Sequence, residues 1–394
     1  MHVRRAVLLA LLAATPLAAQ SPPGWGEATA AFDRYVASDS IVGASLVYFV
    51  DGRIVAEHDM GWQDRDAQVP ADSNTIWHWG SITKTLTAAA FMQVNRWTHI
   101  DRGVVDGVPV TSAPIAASVA EVIPEFRRIH DPFGSIDSVT FRMLLSHSSG
   151  LQNPTWPWGG SEPWQPFEPT EWSQLVAMMP YQQLRFAPGS RYSYSNPGFL
   201  YIARALEQWT GTPWQGLIFK EFFEPLGMRA SYFGRTPRYL IPHRSFNYAV
   251  TDSGVKSRGF DFDPGITIPN GGWNAPVTDL VRWLSFVAGS ADSATQARYD
   301  VLLPRSVFEE MWQSFKRVDD QEWMGLSFFL RHEGGRRLVG HTGTQANFRS
   351  FFWLDPDRHV GVLGVVNTSS DVDGAGTNAR YARVMAAARA VLAR

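Results

Sequence analysis

Hydrophobic and polar positions follow two different periods along this chain. Ala44–Val50 and Arg53–Glu57 have the composition of strands, and they flank Asp51-Gly52, a signal for a two-residue turn. After this region the period becomes helical, because apolar residues share one face of a helix at Ile82, Leu86, Ala89 and Ala90. The pattern predicts a β-hairpin followed by an amphipathic helix.

The middle of the chain has helical segments separated by loops rich in Pro, Gly and Trp. Helices are predicted over Phe199–Thr210, Pro213–Phe223 and Val277–Ala288. Gly211 suits the end of the first helix, and Pro213 suits the start of the second. We therefore expect a mainly helical lobe covering roughly residues 95–275.

The last part of the chain returns to strand composition. Four strands are predicted over Gly325–Arg331, Arg337–His341, Asn347–Leu354 and His359–Val366. Because tight turns join them, they are expected to pair antiparallel. An alanine-rich helix over Thr377–Leu392 follows. The predicted fold class is α+β: one antiparallel sheet made from both chain ends, flanked by the terminal helices, with the helical lobe inserted.

Composition restricts the class of protein. A hydrophobic content of 45% and a charged content of 18% over 394 residues are typical of a globular chain. The net charge of −2, without a basic run, argues against nucleic acid or an anionic membrane surface as a partner. The absence of cysteine excludes disulfides, thiol catalysis and cysteine metal sites. The histidines show no H-E-x-x-H or similar pairing, so no metal or other cofactor is expected.

The first residues have the layout of a secretory signal peptide. Arg4 and Arg5 precede the apolar run Ala6–Ala14, and small residues follow near Ala18-Ala19-Gln20. Residues 1–20 are predicted to be removed on export to the periplasm or beyond, leaving 21–394 as one domain without a membrane span. The alternative is a buried apolar helix at the N-terminus.

A candidate nucleophile opens the predicted amphipathic helix. Ser81 and Lys84 lie three residues apart, a spacing that places both on one face of a helix. A serine hydroxyl needs a neighbouring base, and a partly desolvated lysine can serve as one. Alternatively, Ser81 is a helix-capping serine with a solvated lysine one turn later. A second Ser-x-x-Lys match, Ser253–Lys256, lies in a turn-rich context without a helical stripe.

Two further stretches carry groups that could serve the same chemistry. Tyr194 and Asn196 lie on a loop before a predicted helix. A lysine ammonium beside the tyrosine phenol would favour the anionic form of that phenol, which can act as a general base. The asparagine amide can both donate to and accept from a peptide-like substrate. His341-Thr342-Gly343 ends a predicted strand, and the backbone N–H groups of Ser81 and Thr344 are candidate oxyanion donors. Without the Ser-Lys pair, the tyrosine would be an ordinary loop-packing residue and the histidine an ordinary strand-end residue.

Ser-x-x-Lys, Tyr-x-Asn and His-Thr-Gly, in this order, resemble the class C β-lactamase and D-alanyl-D-alanine carboxypeptidase superfamily of serine hydrolases. That superfamily also includes esterases and D-amino-acid peptidases. The resemblance covers nearly all of the mature chain, since further segments match at Met143–Leu151, Pro225–Met228, Gly271–Leu280 and Asp355–Asn367.

The resemblance implies a role for each motif. Ser81 would be the nucleophile, with Lys84 and Tyr194 sharing the work of the base. Substrate would be bound by Asn196, His341, Thr342 and Gly343. The expected substrate is a small molecule or a short peptide, and the resemblance implies no metal. The sequence does not predict the oligomeric state.

Two departures from the family pattern bear on the substrate. His341 stands where true β-lactamases have lysine, which is more like the carboxypeptidase and esterase members. Thr344–Asn347 replaces a glycine-rich turn and could narrow the acyl pocket.

The expected function is an exported hydrolase of esters or amides. The alternatives are a class C-type β-lactamase and a penicillin-binding module that is acylated without turnover. A third alternative is a scaffold that keeps the fold without catalysis, and the presence of Ser81, Lys84 and Tyr194 together argues against it.

A long aromatic loop could also contribute to the site. Asn153–Trp172 contains five prolines and four tryptophans, which are Trp156, Trp158, Trp164 and Trp172. Such a loop can line a substrate cleft with apolar area. It can equally be held to the surface by its own tryptophans.

Overall fold

The structure is a computed structural model that describes residues 21–100, 114–151, 153, 169–370 and 374–394. Its strands are β1 Gly43–Val50, β2 Arg53–Asp64, β3 Val69–Pro70, β4 Ile76–His78, β5 Tyr232–Phe233, β6 Tyr248–Thr251, β7 Gly254–Ser257, β8 Trp273–Pro276, β9 Lys316–Arg317, β10 Glu322–Met324, β11 Phe329–Glu333, β12 Arg336–Gln345, β13 Phe348–Asp355, β14 Val360–Val366 and β15 Thr368–Ser370. Its helices are α1 Trp25–Ser38, α2 Thr83–Ile100, α3 Val119–Val122, α4 Phe141–Leu145, α5 Trp172–Met178, α6 Pro197–Thr210, α7 Trp214–Ile218, α8 Ile268–Gly271, α9 Val277–Ala288, α10 Ser293–Leu302, α11 Arg305–Met311 and α12 Gly374–Ala393.

Both ends of the chain build the main sheet. Its nine strands are ordered β3-β2-β1-β14-β13-β12-β11-β10-β9. β1 from the first part of the chain pairs antiparallel with β14 from the last part, and β1 and β2 form the predicted hairpin around Asp51-Gly52. The predicted α+β class, with an antiparallel sheet formed by both chain ends, is confirmed.

Side chains alternate between the two faces of this sheet. One face packs against α1 and α12, with buried apolar residues that include Leu46, Tyr48, Phe351, Trp353 and Val362. The neighbouring positions face α2, α9 and the helical lobe, and they include Val47, Phe49, Phe352, Leu354 and Leu363. This period of two follows from the pleat of a strand, and burial on both faces explains why these strands are apolar almost throughout.

A separate, small antiparallel sheet has the strand order β4-β8-β5. β4 pairs with β8 from Ile76↔Pro276 to His78↔Asn274. Trp79 continues this contact, since its backbone N–H donates to Trp273 O at 2.9 Å and its indole Nε1 donates to Ala275 O at 2.9 Å. The chain is thereby fixed just before Ser81.

Several predicted boundaries were wrong, among them that of the strand predicted over Arg53–Glu57, which runs to Asp64. The strand predicted over Gly325–Arg331 begins at Phe329, because the chain turns at Ser327, where φ is +66°. The helix predicted over Pro213–Phe223 is α-helical only in α7 and continues as a π-helical turn over Phe219–Phe223. The strand predicted to end at His341 runs to Gln345, since β12 pairs with β13 as far as Gln345↔Phe348.

Two predictions fall on residues outside the described ranges. The predicted signal peptide, residues 1–20, is one of them. The other is most of the aromatic loop, of which the structure describes Asn153 and the residues from Pro169 onward. None of the helices in the described part of the chain has the length and apolar character needed to cross a membrane.

Candidate active site

Ser81 lies in a 3-10 turn, Gly80–Ile82, that leads directly into α2. Gly80 has a φ of +54°, a backbone conformation that glycine adopts without strain. Thr83 fastens the turn, because its Oγ1 donates to Gly80 O at 2.7 Å and accepts from the Trp273 N–H at 3.1 Å. Ile82 is fully buried, whereas Ser81 is partly exposed. The turn therefore presents the hydroxyl of Ser81 from a rigid support.

Lys84 is fully buried one turn along the helix, as the spacing predicted. Its Nζ lies 3.0 Å from Ser81 Oγ and donates to Asn270 O at 2.7 Å. Burial lowers the pKa of Lys84 well below its ordinary value. The neutral amine that this favours has a lone pair able to accept the proton of Ser81.

Tyr194 also reaches the nucleophile. Its hydroxyl hydrogen bonds with Ser81, and Lys84 Nζ lies 5.0 Å from the centre of its ring. Burial raises the pKa of Tyr194 above its ordinary value, and the bond with Ser81 only partly opposes this rise. The phenolate expected from the sequence is therefore wrong for this site, because burial favours the uncharged forms of both the lysine and the tyrosine.

The end of β12 lies against the turn Gly80–Ile82, which carries the candidate nucleophile Ser81 and is called the nucleophile turn below. A Cβ atom on Gly80 would lie 2.9 Å from Thr344 N, and one on Gly343 would lie 2.0 Å from Trp79 O. Two missing side chains thus let the strand and the turn touch. This contact places Thr344 against Gly80, the residue directly before Ser81, so the two residues predicted to donate to an oxyanion lie in adjoining segments.

His341 is fully buried within β12, and its Nδ1 donates to Thr342 O at 2.6 Å. Its ring centre lies 6.5 Å from that of Tyr194. Full burial is the main cause that lowers the pKa of His341 to about 3. The imidazole is therefore uncharged at neutral pH, so this part of the site has no fixed positive charge.

The remaining predicted residues lie at the edge of this group. The side-chain amide of Asn196 donates to Asn153 Oδ1 at 3.1 Å, and the main-chain carbonyl of Asn196 accepts from Asn270 Nδ2 at 3.5 Å. Thr342 is partly exposed beside the buried Gly343. Trp172, the described tryptophan of the aromatic loop, packs edge-on against Tyr201 at 6.1 Å, so it supports the helical lobe.

Sequence reasoning missed two residues that complete the site. Asn270 contributes a main-chain carbonyl to Lys84, and no side-chain pattern reveals such a contact. His147 stacks on Tyr194 with ring centres 4.3 Å apart. It lies in Met143–Leu151, a segment that resembles the family but contains none of the three catalytic motifs, and its left-handed φ of +51° is an unusual conformation for histidine.

A model of the family described as Beta-lactamase matches residues 28–386. A D-aminopeptidase of Brucella anthropi is 24% identical over 337 residues, covering 82% of this chain and 56% of the relative. The chain spans only about 60% of the length of the curated relatives that it matches.

Solved structures show the same fold. The octameric penicillin-binding protein homologue from Pyrococcus abyssi superposes with a TM-score of 0.70 and 25% identity, covering 88% of this chain and 74% of the other. A class C β-lactamase superposes with a TM-score of 0.69 and 17% identity, covering 94% of this chain and 95% of the other. The described helices and antiparallel sheets therefore have the architecture of β-lactamases and penicillin-binding proteins.

Proposed function

Because this chain belongs to the Beta-lactamase family, we propose that it is an exported serine hydrolase that cleaves an ester or amide through an acyl-enzyme on Ser81. The observation that carries the proposal is the 3.0 Å separation between Lys84 Nζ and Ser81 Oγ in a buried setting. Full burial of a lysine is costly, and burial is the cause of its lowered pKa. Such perturbed groups concentrate at functional sites.

Acylation begins when Ser81 Oγ attacks the carbonyl carbon of the substrate and its proton passes to the neutral amine of Lys84. The carbonyl oxygen becomes an oxyanion, which the N–H groups of Ser81 and Thr344 stabilise. On collapse of the intermediate the bond to the leaving group breaks. The Tyr194 hydroxyl gives its proton to that group and takes the proton held by Lys84.

Deacylation repeats these steps with water as the nucleophile. Water loses a proton to Lys84 as it attacks the ester carbon of the acyl-enzyme, again with the oxyanion held by backbone N–H groups. The bond to Ser81 Oγ breaks, Lys84 passes the proton taken from water to Ser81 Oγ, and the acid product leaves. The site returns to its starting state without any co-reactant other than water.

The neutral state of His341 supports uncharged esters or amides as substrates. A charged lysine would bind a substrate carboxylate through a charge-assisted hydrogen bond, which is roughly twice as strong as a neutral one. The similarity to a D-aminopeptidase supports peptide-like amides within this class. The similarity to the Pyrococcus abyssi penicillin-binding protein homologue supports one alternative. In that alternative, the protein is a penicillin-binding module that is acylated and then stalls.

Export rests on the sequence of residues 1–20, with its two arginines and the apolar run Ala6–Ala14. Intact mass of the protein recovered from outside the cytoplasm tests this part of the proposal. A mature N-terminus near Gln20 supports export, and recovery of only the full-length cytoplasmic chain contradicts it.

The substrate proposal is tested with a nitrophenyl ester, a D-Ala-D-Ala peptide and a chromogenic cephalosporin, each followed by intact mass. We expect turnover of the ester or the peptide to exceed turnover of the cephalosporin. His341→Lys should raise the ratio of kcat/KM for the cephalosporin to that for the ester by roughly fivefold. The ratio of the two kcat/KM values is the readout, because a second lysine beside Lys84 could lower activity on both substrates. Such a shared loss of activity divides out of the ratio.

The other outcomes each contradict part of this account. A wild-type enzyme that hydrolyses the cephalosporin far better than any ester is a β-lactamase. A persistent adduct without turnover identifies a penicillin-binding module. If none of the three compounds is turned over and none leaves an adduct, this result contradicts the proposal of a serine hydrolase.

A further inference from the structure

We infer that His147 is a positioning residue that holds Tyr194 in place for proton transfer, an inference that rests on the proposed function. His147 follows α4, where the chain turns with a φ of +51°. Its neighbour Ser148 is tied back to the helix, since the Ser148 N–H donates to Met143 O at 2.8 Å. The histidine is fully buried and extends from a fixed point of the helical lobe.

His147 binds the backbone on both sides of Tyr194. Its carbonyl oxygen accepts from the Ser193 N–H at 2.8 Å. Its Nδ1 accepts from the Ser195 N–H at 3.0 Å. One residue therefore satisfies the N–H groups that directly precede and follow the tyrosine, and the backbone of Tyr194 cannot shift without breaking one of these bonds.

The ring of His147 fixes the side chain as well. It stacks on the ring of Tyr194, with the centres 4.3 Å apart and the planes at 25°. It also contacts Phe199, the ring that lies 5.4 Å from Lys84 Nζ. Backbone bonds and ring contact together hold the Tyr194 hydroxyl at the hydrogen bond with Ser81.

The hydrogen bond from Ser195 also determines the tautomer of His147. Because Nδ1 accepts from a backbone N–H, the proton of the neutral ring is on Nε2. Nε2 is buried and has no hydrogen-bond partner among the described residues. Burial keeps the pKa of His147 well below its ordinary value. The ring therefore acts as a neutral acceptor and not as a proton donor to the substrate.

Two substitutions separate the roles of His147. Asparagine has an acceptor oxygen at the position of Nδ1 and tolerates a left-handed backbone, so His147→Asn removes mainly the stacked ring. His147→Ala removes both the ring and the acceptor. We expect kcat on a nitrophenyl ester to fall about 10-fold in the first variant and up to about 100-fold in the second, with KM changed less than about twofold.

The decisive experiment repeats both substitutions in the Tyr194→Phe background, which lacks the phenolic hydroxyl. If His147 acts through that hydroxyl, neither substitution lowers kcat further there by more than about twofold. Rates are expressed per active site, counted by covalent titration with a fluorophosphonate, so that misfolded protein does not enter kcat. His58→Asn, remote from the site and paired with Asp33 at 2.6 Å, is the matched control and should leave kcat unchanged.

Equal losses in the wild-type and Tyr194→Phe backgrounds would show that His147 acts on stability or on another group, and would overturn the inference. An unchanged kcat in His147→Asn and His147→Ala would overturn it too. If His147→Ala does not fold, the Asn variant alone decides between these outcomes. A wild-type protein that neither turns over the ester nor takes up the fluorophosphonate overturns the proposed function itself, which is a different result.

Discussion

Lys84 shows most clearly, at the scale of single residues, why the site is suited to catalysis. An ordinary lysine extends into solvent, but this one is fully buried, with its Nζ between Ser81 Oγ and Asn270 O. The same burial lowers the pKa of Lys84 and raises the pKa of Tyr194. Desolvation thus prepares an uncharged base and an uncharged acid side by side.

Substitution of Lys84 by methionine, which keeps the length and apolar packing of the side chain, should lower kcat/KM by about 10²- to 10⁴-fold, because the general base is lost. In the wild-type protein, activity should rise with pH as Lys84 loses its proton, and this rise should be centred well below pH 10.5. The pH dependence of kcat/KM for a neutral ester measures both. An activity that rises only near the ordinary pKa of lysine would contradict a desolvated base.

The double substitution of Lys84 and Tyr194 should cost little more than the worse single one, since both groups serve the same proton transfer. Measured losses in kcat/KM that simply multiply would show that the two residues act independently. The shared proton path would then be wrong.

At the scale of elements, catalysis depends on contact between β12 and the nucleophile turn. Gly343 allows this contact, because a Cβ atom there would lie 2.0 Å from Trp79 O and 2.4 Å from Ser350 Oγ. The Ser350 hydroxyl also donates to Trp79 O at 2.9 Å, which ties the adjacent strand β13 to the same carbonyl.

Gly343→Ala should push β12 away from the turn. The expected results are a destabilisation of about 1–3 kcal/mol, as for overpacked interiors, and a loss of kcat exceeding about 10-fold as one oxyanion donor is displaced. Chemical denaturation and ester kinetics measure the two effects. Gly26→Ala is the control, since apart from its chain neighbours and the backbone of α1 itself no atom lies within 4 Å of its Cβ position, and alanine favours a helix. Equal behaviour of the two variants would contradict the proposed contact.

The elements also show what a sequence can and cannot predict. α9 matches its predicted bounds, because its apolar stripe is bounded by Pro276 and by Gly289, which has a φ of +78°. β12 was predicted to end at His341, since small polar residues resemble a loop, whereas pairing with β13 extends it. Spacing revealed Ser81 and Lys84 because one helical turn brings them together. His147 and Asn270 come from distant segments that only tertiary packing places beside them.

At the scale of the whole molecule, the two chain ends are fastened together beside the main sheet. Asp39, at the end of α1, is buried and accepts hydrogen bonds from Thr377 and Arg380 of α12. Both helices cover the same face of the sheet, in which β1 pairs with β14. The nucleophile lies on the opposite face, so these helices contribute stability and no catalytic group.

Asp39→Ala should therefore destabilise the fold by about 3 kcal/mol, because it leaves a partly buried arginine without this carboxylate. Denaturant unfolding measures the change, and kcat at a temperature where the protein remains folded should stay within about twofold of wild type. Asp320→Ala is the control, since its pair with Arg317 is exposed and worth less than about 1 kcal/mol. A similar loss in both variants would contradict the structural role of Asp39.

The central claim is that Ser81 forms the acyl-enzyme, and intact mass after brief exposure to a nitrophenyl ester tests it most directly. We expect one acyl adduct per chain, mapped by peptide digestion to Ser81 and absent from Ser81→Ala, whose unfolding should shift by no more than about 1 kcal/mol. Ser253→Ala, at the second Ser-x-x-Lys match, should retain the adduct. An adduct that survives Ser81→Ala and maps to Ser253 would contradict the account.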